Sequence, residues 1–219
     1  MPRILCLSAG LDSAVNLAVA ARRPGGVKLA LTFDYGQRAA RREIEGSRKL
    51  AKHYGVPWKL VRLPWLGGIT DTALVARRKK MPRFTTAQLS DRRRTERSAK
   101  AVWVPNRNGV FLNIAAAFAE SLKCREVVIG FNREEAATFP DNSAAFGRAA
   151  TGAFRYSTAN RVRVVSYTAA MDKRQIVLLA RRLRLPLELV WPCYEGGRTP
   201  CGSCESCLRF RRALESPAS

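Results

Sequence analysis

Four of the six cysteines crowd into one short stretch, as Cys193, Cys201, Cys204 and Cys207. Two adjacent Cys-x-x-Cys steps and one more distant thiol supply the four thiolates that close a tetrahedral zinc shell. Gly196, Gly197 and Gly202 let the chain wrap such an ion. Four sulfurs leave no position for an activated water, so the metal reads as structural, folding a tail with little core of its own. An iron–sulfur cluster is the rival occupant, and a redox pair a weaker one. Cys6 and Cys124 lie in apolar stretches as inert core thiols. The one histidine, His53, sits on a polar helical stretch and needs no chemical role.

The second chemical signal is Ser8-Ala9-Gly10-Leu11-Asp12-Ser13, a run of small residues between an apolar stretch and a helical one. Small side chains let backbone N–H groups turn toward phosphate oxygens, and the start of a helix adds a favourable field. Ser8 and Ser13 would donate hydroxyls. Asp12, an anion, would orient the turn or help to hold Mg²⁺ rather than touch phosphate. The run lacks the Gly-Lys-Ser/Thr ending of a Walker loop and the three glycines of a dinucleotide fingerprint.

Hydrophobic periodicity supplies the scaffold. Strands are expected at 3–7, 27–33, 58–63, 126–131 and 161–166, and helices at 14–21, 39–54, 109–122 and 172–183, with another after Pro140. The alternation predicts an α/β fold, a Rossmann-like parallel sheet flanked by helices. Residues 1–190 form the expected nucleotide domain, and residues 191–219 a small zinc-binding unit ending in a basic helix. Residues 70–102 carry Arg77-Arg78-Lys79-Lys80 and Arg92-Arg93-Arg94 and read as a solvent-facing basic insertion. The whole chain holds 39 Lys and Arg against 17 Asp and Glu, a formal net charge of +22. That field attracts nucleotides, phosphates, acidic proteins or nucleic acid without choosing among them, and a chain-wide arginine bias is its plain explanation. Charge interrupts every apolar run before a membrane span is complete, and the opening Met1-Pro2-Arg3 leads straight into a strand, so a cytoplasmic enzyme is expected.

The turn at 8–13 resembles the Ser-Gly-Gly-x-Asp-Ser loop of the N-type ATP pyrophosphatases, with Ala9 standing for the first glycine. Alanine is mild there only at negative φ. Further along come Phe33-Asp34-Tyr35-Gly36-Gln37-Arg38, then Val104-Pro105-Asn106-Arg107-Asn108, then Phe139-Pro140-Asp141-Asn142, and last the cysteine cluster. In that order the motifs resemble the 7-cyano-7-deazaguanine synthase family over nearly the whole chain. Phe139 and Asn142 stand where many relatives have tyrosine and cysteine.

The resemblance implies a ligase that adenylylates 7-carboxy-7-deazaguanine with ATP and couples it to ammonia, reaching the nitrile through an amide. It implies ATP, Mg²⁺ and Zn²⁺ as cofactors and a homodimer as the assembly. ATP contacts fall to residues 8–13 with Phe33 and Tyr35, and catalytic roles to Ser8, Asp12, Ser13, Arg107 and Lys173. Substrate contacts fall to Gln37, Arg107, Asn108, Phe139, Asp141 and Asn142, with Asp141 reading guanine-like N–H groups and Phe139 stacking on the base. The quieter readings are packing for Tyr35, helix caps for Asn108 and Asp141, and an ion pair for Arg107. A conjugating enzyme that passes the activated acid to an amine of a protein is the nearest alternative. A tRNA-modifying enzyme and a non-catalytic zinc-binding interaction protein are more distant ones.

Overall fold

The segment Arg3–Cys6 is buried along its whole length, so it can only be an inner strand. In the computed structural model, which describes residues 1–216, it is the central one. Among the described residues the strands are β1 (Arg3–Cys6), β2 (Val27–Asp34), β3 (Trp58–Arg62), β4 (Glu126–Val128) and β5 (Arg163–Val165). All pair in parallel, in the order β3-β2-β1-β4-β5. The helices are α1 (Leu11–Ala21), α2 (Ala40–His53), α3 (Pro64–Gly68), α4 (Arg92–Val102), α5 (Arg107–Ser121), α6 (Arg133–Ala136), α7 (Ala144–Ser157), α8 (Lys173–Arg182) and α9 (Glu205–Glu215). The parallel α/β expectation holds, and no helix among the described residues is long and apolar enough to cross a membrane.

Side chains alternate across a strand, so β1 sends Ile4 and Cys6 into one core and Leu5 and Leu7 into the other. The first core packs against α5 and the second against α1, α2 and α8. From the edge strand β3 the chain crosses back and returns beside β1 as β4. Strand order therefore reverses between β1 and β4, and their C-terminal ends open the crevice in which such sheets bind ligands.

Residues 70–102 are corrected in one respect. Their arginines are exposed, but Leu74, Met81, Phe84 and Leu89 are buried. On α4 the buried Thr95, Ser98, Ala99 and Val102 recur at helical spacing, an inward stripe that the arginine run conceals. Phe84 and Leu89 pack on Leu208 of α9, and the Phe84 N–H donates to Ser203 O at 2.8 Å. The segment is thus a strap over the cysteine-bearing tail, apolar beneath and basic above.

At Ala9 the sequence left two backbone conformations open. The observed φ is 57°, in the left-handed region that costs a non-glycine residue about 1–2 kcal/mol. The turn therefore holds strain that a glycine would not. The Ala9 methyl is fully buried against Gly46 of α2, where an added Cβ would lie 2.7 Å from it and 2.8 Å from Leu189 O. Gly46→Ala is expected to destabilise the fold by about 1–3 kcal/mol in urea unfolding. Adding Ala9→Gly removes one of the two clashes and should restore part of that loss.

Candidate active site

The turn after β1 holds itself by its hydroxyls. Ser13 Oγ donates to Gly10 O at 3.0 Å and accepts from the Ser8 N–H at 3.2 Å, and the Ser8 hydroxyl lies 3.2 Å from it. The far side of the turn is pressed by Gly130, just beyond β4, where a Cβ would stand 2.6 Å from Ser13 N. Only glycine permits that approach. The turn opens into a cavity of about 220 Å³ at the β1–β4 crevice, lined by Ser8, Gly10, Leu11, Asp12 and Ser13 among others.

Lys173 enters this cavity from the start of α8. A reciprocal cap fixes it there: Asp172 accepts from the Gln175 N–H at 2.8 Å, and Gln175 accepts from the Asp172 N–H at 3.0 Å. The Lys173 ammonium donates to Asp12 Oδ2 at 2.5 Å and to Glu135 Oε1 at 2.7 Å. Asn132 donates to the same Asp12 oxygen at 2.9 Å, and Asn142 donates to the other Glu135 oxygen at 3.0 Å. Burial would lower the lysine's affinity for its proton, but the two carboxylates outweigh it and hold Lys173 charged, well above the usual lysine range.

The opposite wall is aromatic. Phe33 stacks on Phe111 with centroids 4.1 Å apart, and Tyr35 tilts against the same ring at 5.9 Å. Arg107, at the start of α5, donates to the Tyr35 hydroxyl at 3.4 Å. Glu43 also lines this wall, its Oε2 accepting from Gln37 Nε2 at 2.8 Å. Burial pushes the Glu43 carboxyl up from 4.5 to about 7 against the pull of that bond and of Arg107. A folded-state pKa above the unfolded one means that the folded chain binds the extra proton between pH 4.5 and 7. Stability contributed below pH 4.5 is lost as pH rises through that window. Glu43→Gln should match the wild type at pH 4 and then gain on it by up to about 1.4 kcal/mol per pH unit, flattening above pH 7. Urea unfolding across pH checks it.

The cysteine-bearing tail closes the cavity. Trp191, Pro192, Cys193, Tyr194, Ser206 and Phe210 all line it. Trp191 N–H donates to Ala9 O at 2.8 Å, tying tail to turn, and the Arg42 guanidinium lies over the Trp191 ring at 5.2 Å. Arg38 reaches Glu195 at 3.3 Å and the carbonyls of Ala76, Arg77 and Lys79, joining the tail to the strap. The four Sγ atoms lie within 4.8 Å of one another, close to the separation of about 3.8 Å that 2.3 Å zinc–sulfur bonds impose in a tetrahedron. Cys193 Sγ accepts from the N–H groups of Glu195 and Cys201, and Cys201 Sγ from that of Cys204, each at 3.3 Å. Such donors favour thiolates, so the residues fit zinc and the four cysteines are its site.

The cavity brings together most of the residues singled out in the sequence: Ser8, Gly10 to Ser13, Phe33, Tyr35, Arg107, Asn108, Asn142 and Lys173. Ala9 is fully buried behind the turn. Gln37 is also turned inward, its amide engaged by Phe33 O, the Tyr35 N–H and Glu43. Phe139 and Asp141 do not line this cavity. Phe139 stacks parallel to Trp103 at 6.1 Å, and the Asp141 carbonyl accepts from Asn108 at 3.0 Å. Cys6 lines it, but burial pushes its thiol up to about 12, so it stays protonated.

Sequence reasoning missed Glu43, Glu135 and Tyr194. Glu43 had a signal, because it shares a helical stripe with the buried Gly46, Ser47 and Leu50. An acid on an inward face asks for an explanation. Glu135 and Tyr194 had none that spacing reveals, since Glu135 meets Lys173 from 38 positions away and Tyr194 reaches the cavity only with the folded tail.

A model of the family described as "Queuosine biosynthesis protein QueC" matches residues 3–217. The 7-cyano-7-deazaguanine synthase of Desulforamulus reducens is 54% identical over 216 residues, covering 99% of this chain and 94% of that protein. The protein of the same name from Bdellovibrio bacteriovorus is 50% identical over 213 residues, covering 97% and 92%. Among solved structures, that of NMN synthetase from Francisella tularensis is similar with a TM-score of 0.50 at 15% identity, covering 99% of this chain and 79% of that one. At that identity the likeness is one of fold.

Proposed function

From a chain that belongs to the QueC family, we infer an enzyme that makes 7-cyano-7-deazaguanine from 7-carboxy-7-deazaguanine, ammonia and ATP in one cavity. The observation that carries the site assignment is the convergence of the Ser8–Ser13 turn, Lys173 and Arg107 on a single space closed by the zinc-bearing tail. The turn grips the triphosphate at the start of α1, where free N–H groups and the helix field favour anions. Phe33 and Tyr35 offer the adenine an apolar wall. Arg107 draws in the acid's carboxylate, and Lys173 stabilises the charge that grows on the α-phosphate as that carboxylate attacks and pyrophosphate leaves. Mg²⁺ supplies further charge neutralisation, and Asp12 is the residue that would hold it. Ammonia displaces AMP to give the amide, and a second activation, at the amide oxygen, ends in the nitrile.

Asn108 holds the segment bearing Phe139 and Asp141, which shape the wall from behind. Zinc keeps the tail folded and takes no part in the reaction. A compartment that supplies ATP and keeps thiols reduced suits this chemistry, in agreement with a cytoplasmic location. A homodimer would bury the exposed Trp65 and Ile69 of the α3 region, 52% and 62% accessible in the lone chain.

Incubation of the zinc-loaded protein with ATP, Mg²⁺, the acid and ¹⁵N-ammonium should yield AMP, pyrophosphate and a nitrile one mass unit heavier than the unlabelled compound. Accumulation of an amide with no nitrile, or acid attached to a protein amine, would favour the conjugating alternative. No AMP at all would remove both.

A further inference from the structure

We propose that Glu43 is the base that takes protons from the substrate nitrogen, as ammonia forms the amide and again as the amide closes to the nitrile. This rests on the synthase reading and supplies a group which that reading does not name. Ammonia carries three protons and a nitrile nitrogen none. In the first step the nitrogen lone pair attacks the acyl carbon, AMP leaves with the C–O electron pair, and one N–H proton goes to the base. After the amide oxygen has displaced pyrophosphate from the second ATP, two more N–H protons leave. The electron pair freed by the first of them forms the third carbon–nitrogen bond as AMP departs with its C–O electrons. Each proton passes from the carboxyl to water before the next is taken.

The titratable groups on the cavity wall leave one candidate. Lys173 and Arg107 are held protonated, well above their usual ranges. Burial pushes up the Tyr35 and Tyr194 phenols and the Cys6 thiol, so all three keep their protons. Cys193 belongs to the zinc site. Asp12 is paired with Lys173, and its other oxygen, Oδ1, is buried. Glu135 has both oxygens engaged, one by Lys173 and one by Asn142. Glu43 differs. Its Oε2 is anchored by Gln37 at 2.8 Å, and Gln37 is held in turn by Phe33 O and the Tyr35 N–H. No donor among the described residues reaches Oε1, which stays accessible where Glu43 meets the cavity. A carboxyl fixed by one oxygen and free at the other is placed for proton transfer. The charges that bear on it come from Arg107 on α5 and Asp34 at the end of β2, with the Tyr35 phenol beside them. Burial outweighs Arg107 and brings the carboxyl to about 7, the range in which a base is both free to accept a proton and strong enough to hold it. Arg107 is also the group that draws in the acid's carboxylate, which puts Glu43 on the acyl side of the cavity.

Conversion of the amide to the nitrile with ATP, followed in single turnovers, tests the assignment without ammonia's own titration. Wild-type rates should rise about tenfold per pH unit below about 7 and level off above it. Glu43→Gln keeps the length of the side chain and an acceptor for Gln37, so it should fold across this range. It should slow nitrile formation by about 10²–10⁴-fold and lose the pH limb. Pyrophosphate release from the acid and ATP needs no base and should be at least tenfold less affected, with the KM of the amide held within about threefold. Glu43→Asp should keep the limb at a reduced rate. A Glu43→Gln enzyme that makes nitrile at the wild-type rate, or keeps the limb, overturns the proposal. So does a loss that falls equally on pyrophosphate release or shows only as a higher KM, which would make Glu43 a binding residue. Should Glu43→Gln not fold, Glu43→Asp decides, and an unaltered rate there refutes the base. Wild-type protein that releases no pyrophosphate with the acid refutes the synthase reading itself, and the assignment falls with it.

Discussion

Lys173→Met is expected to slow AMP formation by about 10²–10³-fold, the usual effect of removing one preorganised donor from a developing oxyanion. It should also destabilise the fold. The Lys173 ammonium lies between two carboxylates, and its removal leaves Asp12 and Glu135 buried and without their counter-ion. Breaking a buried pair from one side costs about 3–5 kcal/mol. The sign with pH distinguishes this from a mere packing defect. Without the lysine, burial raises both carboxyl pKa values above their unfolded values, so the deficit shrinks as pH falls and the groups take up protons. Asp12→Asn placed on top should return part of the stability and none of the activity, a coupling that a double-mutant cycle measures. Lys173→Met with wild-type rates of AMP release would remove the lysine from the chemistry altogether.

Stripping zinc, or replacing Cys204 with serine, should be nearly as damaging for a different reason. Trp191, Tyr194, Ser206 and Phe210 line the cavity from a tail that the four thiols gather around one point. Structural zinc contributes about 10–16 kcal/mol in small sites, as much as or more than the 5–15 kcal/mol that holds a typical domain together. Metal-free protein should therefore lose ATP-dependent AMP formation by more than about 100-fold and regain it when zinc is returned. Hydrogen exchange should rise in residues 191–216 and, through the Phe84–Ser203 bond, in the strap around residues 77–90. Full activity in a zinc-free, folded protein would reduce the metal to a remote staple.

The sheet was readable because short runs rich in aliphatic residues alternate with stretches of helical period, and most observed boundaries fall within a few residues of those expected. The β4 strand ends at Val128 rather than at residue 131, since beyond it the chain turns so that Gly130 can press on Ser13. The helix expected from Gly109 starts at Arg107, because Asn106 takes a left-handed φ of 50° and turns the chain into α5. The zinc site was legible from spacing alone, and the phosphate turn from its small residues between strand and helix. The strain at Ala9 was not, since residue type alone does not reveal the left-handed φ that the turn between β1 and α1 takes there. Nor was the Lys173 triad. Its members are 38 to 161 positions apart and meet only because β1 and β4 end, and α8 begins, at the same edge of the sheet. The sequence placed Phe139 and Asp141 at the substrate on motif order, and in the structure both stand outside the cavity lining, beside Trp103 and Asn108.

Attack of the acid's carboxylate on the α-phosphate is most directly tested by following oxygen. With ¹⁸O in both carboxylate oxygens of 7-carboxy-7-deazaguanine, the first AMP released should carry one ¹⁸O and the amide should keep the other. The second AMP should then carry the remaining ¹⁸O, leaving none in the nitrile product. Label recovered in inorganic phosphate, or AMP without any, would contradict adenylylation in this cavity.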